Sequence, residues 1–176
     1  LGNDQITLTN ANSGVIAAGD GDDLIITDQA TDMIIAGGDG SDTLRITGSS
    51  NVNVSGKTNF ALSSIDTINL SAAGAGLQVS AAQFNANSTF ALTGTAAATD
   101  ILTVTGSASA DTVSWGGVTV TTASTSITGG AGDDTLTGSA GVDVIEGGVG
   151  SDAISGGTGN DTVTYAGAAD TADTGT

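Results

Sequence analysis

From Gly129 to Thr164 the chain repeats every nine residues without a slip, as GGAGDDTLT, GSAGVDVIE, GGVGSDAIS and GGTGNDTVT. The sixth position is always Asp (Asp134, Asp143, Asp152, Asp161), and the eighth is always apolar (Leu136, Ile145, Ile154, Val163). So short a period leaves little room for choice. Glycine accepts positive φ and close backbone approach, so the first six residues read as a tight turn. The last three are a minimal strand whose central side chain points inward. Strands and turns that recur at a fixed period stack into a solenoid. Two units make one coil, so turns two units apart fall on the same edge. Asp134 then lies over Asp152 on one edge, and Asp143 over Asp161 on the opposite one.

The N-terminal block repeats with a longer beat. Gly2-Asn3-Asp4, Gly21-Asp22-Asp23 and Gly40-Ser41-Asp42 recur together with an apolar series, Ile6, Ile16, Ile25, Ile35, Leu44 and Val54. That series advances in alternating steps of about ten and nine, which gives two strands per coil. Asp4, Asp23 and Asp42 stack on one edge; the other edge carries Asn10, Asn12, Asp28 and Asp32, without glycine spacing.

Composition narrows the function. There is no Cys and no His, which removes disulfides, zinc–cysteine sites, thiolate nucleophiles and Ser-His-Asp triads. Two basic residues against nineteen acidic ones leave a net charge of −17, which argues against nucleic-acid and anionic-membrane partners. The apolar runs are too short to span a bilayer. All the acid except Glu146 is Asp, a turn and metal-loop residue rather than a helix former. Seventeen net charges repel in a compact state, so a neutralising partner is expected.

The nonapeptides resemble the RTX repeat, the calcium-binding G-G-x-G-x-D-x-U-x unit of type I secreted bacterial proteins, over residues 1–47 and 129–164. The resemblance implies an all-β fold, a right-handed parallel β-roll or β-solenoid. It also implies Ca²⁺ held by Asp4, Asp23, Asp42, Asp134, Asp143, Asp152 and Asp161. Backbone carbonyls of Gly19, Gly21, Gly38, Gly40, Gly130, Gly132, Gly141, Gly148, Gly150, Gly157 and Gly159 would complete the shells. Asp20, Asp39 and Asp111 are secondary candidates. Six to eight hard oxygens at about 2.3–2.6 Å suit the ion, and one ion per stacked turn pair gives about four. Two departures stand out. Ser139 replaces the second glycine of its turn, which puts the Asp143 site in question, and Ala18 replaces the first glycine of the second turn. Asp66, Asp100 and Asp170 stand outside the register and read as solvated turn residues.

Four segments result: an N-terminal solenoid block (1–50), a Ser/Thr/Ala-rich β spacer (51–127), a C-terminal roll (128–165) and a tail (166–176). The spacer keeps strand signals such as Leu77-Gln78-Val79 and Leu102-Thr103-Val104, and Ser80–Phe84 allows one helical turn. Gly106–Val113 looks like a decayed repeat. The spacer reads as continued coils with few ions, the alternative being a small antiparallel layer. Trp115 and the three Phe (Phe60, Phe84, Phe90) are expected to cover or cap its core. Leu62–Ser71 is similar to spacer strands of RTX-type surface-layer proteins and adhesins. Leu1 is not an initiator Met and no secretion tail or signal peptide is visible, so the chain reads as an excerpt.

The functional expectation is a calcium-folded structural module of a secreted, cell-surface protein of S-layer, filament or adhesin type, touching copies of itself or other surface components. The alternative is an accessory roll of a secreted enzyme or toxin. No nucleophile–base pair or carboxylate dyad stands outside the repeats, so no catalysis is expected here. Ice binding fails because only Gly157–Asp161 carries the Thr/Asn rung. Glycan binding lacks aromatic platforms, with one Trp and one Tyr in the chain.

Overall fold

The structure is a computed structural model describing residues 2–9, 13–28, 32–48, 51–57, 61–72, 74–85, 90–95, 100–121, 123–166 and 170–173. Asn10, Asn12 and Phe60, singled out above, lie outside them. In chain order the elements are β1 (Gln5–Leu8), β2 (Ser13–Asp20), β3 (Leu24–Thr27), β4 (Asp32–Asp39), β5 (Thr43–Ile46), β6 (Asn51–Asn53), β7 (Ala61–Ser63), β8 (Thr67–Leu70) and β9 (Gly76–Ser80). Then follow α1 (Ala81–Asn85), β10 (Ala91–Thr93), β11 (Ile101–Thr105), β12 (Thr112–Ser114), β13 (Thr119–Thr121), β14 (Ser124–Ala131), β15 (Thr135–Thr137), β16 (Asp143–Val149), β17 (Ala153–Ser155), β18 (Thr162–Thr164) and β19 (Thr171–Asp173).

These strands form a parallel β-solenoid. One sheet runs β1-β3-β5-β8-β10-β13 and a second runs β18-β16-β14-β11-β9-β6, with shorter sheets β12-β15-β17-β19 and β2-β4-β7. The coil length shows in the offset between stacked partners. It is 19 residues at Asp4/Asp23, 24 at Asp42/Asp66, 23 at Asp111/Asp134 and 18 at Asp134/Asp152. The spacer continues the same solenoid: β8 pairs in parallel with β5 and β10, and β11 with β9 and β14, so no antiparallel layer forms among the described residues.

Strand alternation places one or two apolar residues per strand inside, and equivalent residues stack in columns. Ile25, Leu44, Ile68 and Leu92 form one column. Val79, Val104, Ile127, Ile145 and Val163 form another. All but Val163 are essentially buried. The column Val52, Leu77, Leu102 turns polar at Thr125 and Asp143. One sequence expectation changes here. The partner of Ile35 is Leu62, not Val54, because the third coil makes an excursion in which β6 joins the second sheet beside β9. The ten-and-nine beat therefore breaks after Leu44. Val54 is buried all the same.

Helix α1 follows from a capping box. The Ser80 hydroxyl accepts from the Gln83 amide at 3.3 Å, while the Ser80 amide donates to Gln83 Oε1 at 2.8 Å. Gln83 Nε2 also donates to the carbonyls of Val54 and Lys57, tying the excursion to the core. Trp115 is fully buried with Phe84 at 4.6 Å between ring centroids, and Phe84 meets Phe90 edge-on at 6.0 Å. These aromatics form the interior of the widest coils.

Candidate metal centre

Five of the Gly-rich turns are each bent by two glycines with positive φ, for example Gly148 at 104° and Gly150 at 150°. Residues with a Cβ adopt such angles only under strain. Close approach adds a second requirement. The Gly130 carbonyl oxygen lies against the α-carbon of Gly148, where a Cβ would collide with it. The same stacking sets the carbonyls of Gly19, Gly21, Gly132 and Gly141 against Gly38, Gly40, Gly150 and Gly159, and that of Ser139 against Gly157. Successive turns thus superimpose with carbonyl oxygens directed along the solenoid axis.

The sixth-position aspartates form a ladder. The Asp4 amide donates to Asp23 Oδ1 at 2.8 Å, the Asp23 amide to Asp42 Oδ1 at 2.9 Å, and the Asp42 amide to Asp66 Oδ2 at 2.8 Å. In the C-terminal block the Asp111 amide donates to Asp134 Oδ1 at 2.8 Å, Asp134 to Asp152 at 2.9 Å, and Asp152 to Asp170 at 3.2 Å. On the opposite edge the Asp143 amide donates to Asp161 Oδ1 at 3.0 Å. A second ladder at the fifth position runs the other way: the Asp22 amide donates to Asn3, Ser41 to Asp22 and Ser151 to Asp133.

One carboxylate oxygen of the sixth-position aspartate is used in this way. The other Oδ2 of Asp23, Asp42, Asp134, Asp152 and Asp161 is buried with no hydrogen-bond partner among the described residues. A buried charged oxygen without a donor is costly unless a cation meets it. Burial, reinforced by the neighbouring carboxylates, pushes the Asp42 and Asp134 carboxyls above the usual Asp range, against the pull of the amides that bond them. Among the described residues no three carboxylates converge. An ion here would take one or two carboxylates and complete its shell with carbonyls, the hard all-oxygen set suited to Ca²⁺. The residues present fit that ion.

The expected residues do not all behave alike. Asp20 and Asp39 pair in register between β2 and β4 but are exposed at the turn surface. Asp4 is exposed in the first turn. Asp143 is fully buried, yet both its oxygens are occupied. Ser139 donates its amide to Oδ2 at 2.8 Å, and its hydroxyl lies 3.1 Å from Oδ1 and 3.0 Å from Oδ2. Burial still raises the Asp143 carboxyl. Asp111 is held the same way by Ser107. Gly141 lacks the positive φ of its counterparts, so that turn has a different backbone.

Three aspartates set aside above are not merely solvated turn residues. Asp66 and Asp170 end the two ladders. Asp100 is fully buried and accepts from Thr95 N and Oγ1, both at 2.6 Å, and from Gly74 N at 2.8 Å. Burial opposes the charge of Asp100, but these bonds outweigh it and hold the carboxyl below its ordinary value. The Asp170 signal was present in the sequence, because Asp170 stands nine residues after Asp161 with β19 next to it. Its apolar position holds Ala172, too small to be read as a strand beat.

Residues 126–172, from β14 through β19, match the family of the RTX calcium-binding nonapeptide repeat in 4 copies. The N-terminal block, with the same aspartate ladder, lies outside that span. No curated protein and no solved structure matches the chain. No helix among the described residues is long and apolar enough to cross a membrane. Residues 126–172 carry RTX calcium-binding repeats within a parallel β-solenoid, which supports a calcium-binding structural module.

Proposed function

We propose that calcium completes this solenoid outside the cell, in a structural segment of a secreted, cell-surface bacterial protein of S-layer, filament or adhesin type. The observation that carries the reading is the set of buried Asp oxygens without donors at Asp23, Asp42, Asp134, Asp152 and Asp161. They recur at coil spacing beside stacked carbonyls. One ion per stacked turn pair gives about four ions and removes about half of the net charge. Extracellular calcium modules work at about 10⁻⁴–10⁻³ M, so such turns stay open in a calcium-poor cytosol and close outside. A chain that leaves the cell unfolded is served by that difference. Contacts with copies of itself or with other surface components belong to this reading. The reading includes no catalytic step, because the ladder carboxylates are committed to amides of the neighbouring coil.

Far-UV circular dichroism during calcium titration from chelator tests it. The β signal is expected to rise with calcium and saturate in the extracellular range. A full β signal in chelator, unchanged by calcium, refutes it.

A further inference from the structure

The turn aspartates fall into two chemical groups, although all but Asp100 take part in the carboxylate–amide ladders. At Asp23, Asp42, Asp134, Asp152 and Asp161 the second carboxylate oxygen has no donor. At Asp143, Asp111 and Asp100 it is filled by a Ser or Thr four or five residues earlier in the chain. Ser139 lies four residues before Asp143 and Ser107 four before Asp111. Each gives both its amide and its hydroxyl to the carboxylate, and the hydroxyl also accepts an amide two residues on, from Gly141 at 3.0 Å or Ser109 at 3.1 Å. Thr95, five residues before Asp100, repeats the two-donor arrangement. Ser139 and Ser107 stand where Gly130, Gly148 and Gly157 take positive φ, and neither Ser does so. With the backbone turned the other way, the amide faces the carboxylate.

We propose that the hydroxyl and amide of Ser139 do at the turn 138–143 what calcium does at the Gly-rich turns, and that Ser107 and Thr95 do the same for Asp111 and Asp100. The solenoid is thereby divided along its length into turns that close on their own and turns that close only on the ion. This rests on the calcium reading above. Self-closing turns precede β11, β12 and β16, in the stretch that also holds Trp115, with the Gly-rich turn of Asp134 between them. The coils around Asp100 and Asp111 are folded in the absence of metal and offer a finished strand edge on which the Gly-rich turns assemble when calcium arrives. In the natural sequence the Asp143 turn then takes no ion of its own, whereas the Asp161 turn keeps its donor-less oxygen for one.

The test is hydrogen exchange on the whole chain in chelator and in calcium, with calcium as the only added ligand. In chelator, the amides of Ser107 and Ser139 are expected to exchange at least about tenfold more slowly than those of Gly148–Asp152. Calcium is expected to protect the second set and leave the first almost unchanged. Ser139→Gly restores G-G-x-G-x-D, so it is expected to lose protection at 138–143 in chelator and to bind one more calcium by equilibrium titration. Ser139→Ala removes the hydroxyl but keeps a Cβ against positive φ, and gains no ion. If calcium protects 138–143 as strongly as 147–152, or Ser139→Gly gains no ion, the proposal falls while the calcium reading stands. If calcium protects no turn at all, both fall.

Discussion

Replacing Asp152 by Asn changes one atom and reverses sign with calcium. Asp152 is 1% exposed, and its Oδ1 accepts the Asp134 amide at 2.9 Å while Oδ2 has no partner. Asparagine keeps the accepting oxygen and the volume but removes the charge. Without metal, an orphaned charged oxygen beside Asp134 becomes an orphaned neutral amide, and repulsion with Asp134 disappears. The difference is on the order of 1 kcal/mol in favour of the variant. With calcium 100-fold above its dissociation constant, one site contributes about 2.7 kcal/mol, which the variant loses. The variant is therefore about 1 kcal/mol more stable than the natural chain in chelator and about 1.7 kcal/mol less stable in calcium, a swing of about 2.7 kcal/mol. Urea unfolding followed by the emission of Trp115, the single Trp, reads this directly, since Trp115 is fully buried and its amide bonds the Thr137 carbonyl at 2.9 Å. The midpoints should cross between the two conditions. A loss of equal size in both would mean that Asp152 is only a rung of the ladder, and the reasoning from its unpaired oxygen would be wrong.

Trp115→Ala should cost about 3–5 kcal/mol by opening the cluster with Phe84. The cost should be the same in chelator and calcium by circular-dichroism unfolding, because the cluster is held by ring packing rather than by the carboxylate oxygens that meet the ion. The pH dependence of the metal-free protein should run against ordinary acid denaturation. Burial raises Asp42, Asp134 and Asp143 in the folded state above 3.8, so the folded chain binds more protons there than the unfolded one. Their contribution is fully present below 3.8 and is lost as pH rises through the folded values. Acidifying the chelated protein toward pH about 4 should therefore raise its urea midpoint. In calcium the slope should flatten or reverse, because protons compete with the ion for the same oxygens.

The parts of the fold that follow from a fixed period were legible in the sequence. Asp134 over Asp152, Asp143 over Asp161 and the stacking of Asp4, Asp23 and Asp42 follow from spacing alone, because parallel strands in register carry equal residue offsets. What was illegible depends on coils of unequal length. The excursion through β6 moves Val54 off its beat, and only the tertiary pairing of Ile35 with Leu62 shows where the third coil closes. Asp66, Asp100 and Asp111 keep the Asp-x-apolar entry to a strand but sit 23 to 26 residues from their partners, beyond any fixed period. The role of Ser139 was half visible. Its substitution for glycine flagged the turn, but that its hydroxyl fills the carboxylate depends on a backbone angle the residue type does not specify.

The two ladders explain how so acidic a chain keeps one register. At the sixth position each carboxylate takes the amide of the coil before it; at the fifth, each Asx oxygen takes the amide of the coil after it. A slip of one residue breaks both at once, since the same turn donates in one direction and accepts in the other. A purely apolar solenoid of Val, Ile and Leu columns has no such constraint, and its strands can slide by two residues and still bury the same face. Aspartate thus sets register in the two repeat blocks, at the cost of a second carboxylate oxygen, which is unpaired at Asp23, Asp42, Asp134, Asp152 and Asp161. Calcium or a serine hydroxyl meets that oxygen. Which of the two a turn uses decides whether its coil is permanent or conditional on the ion.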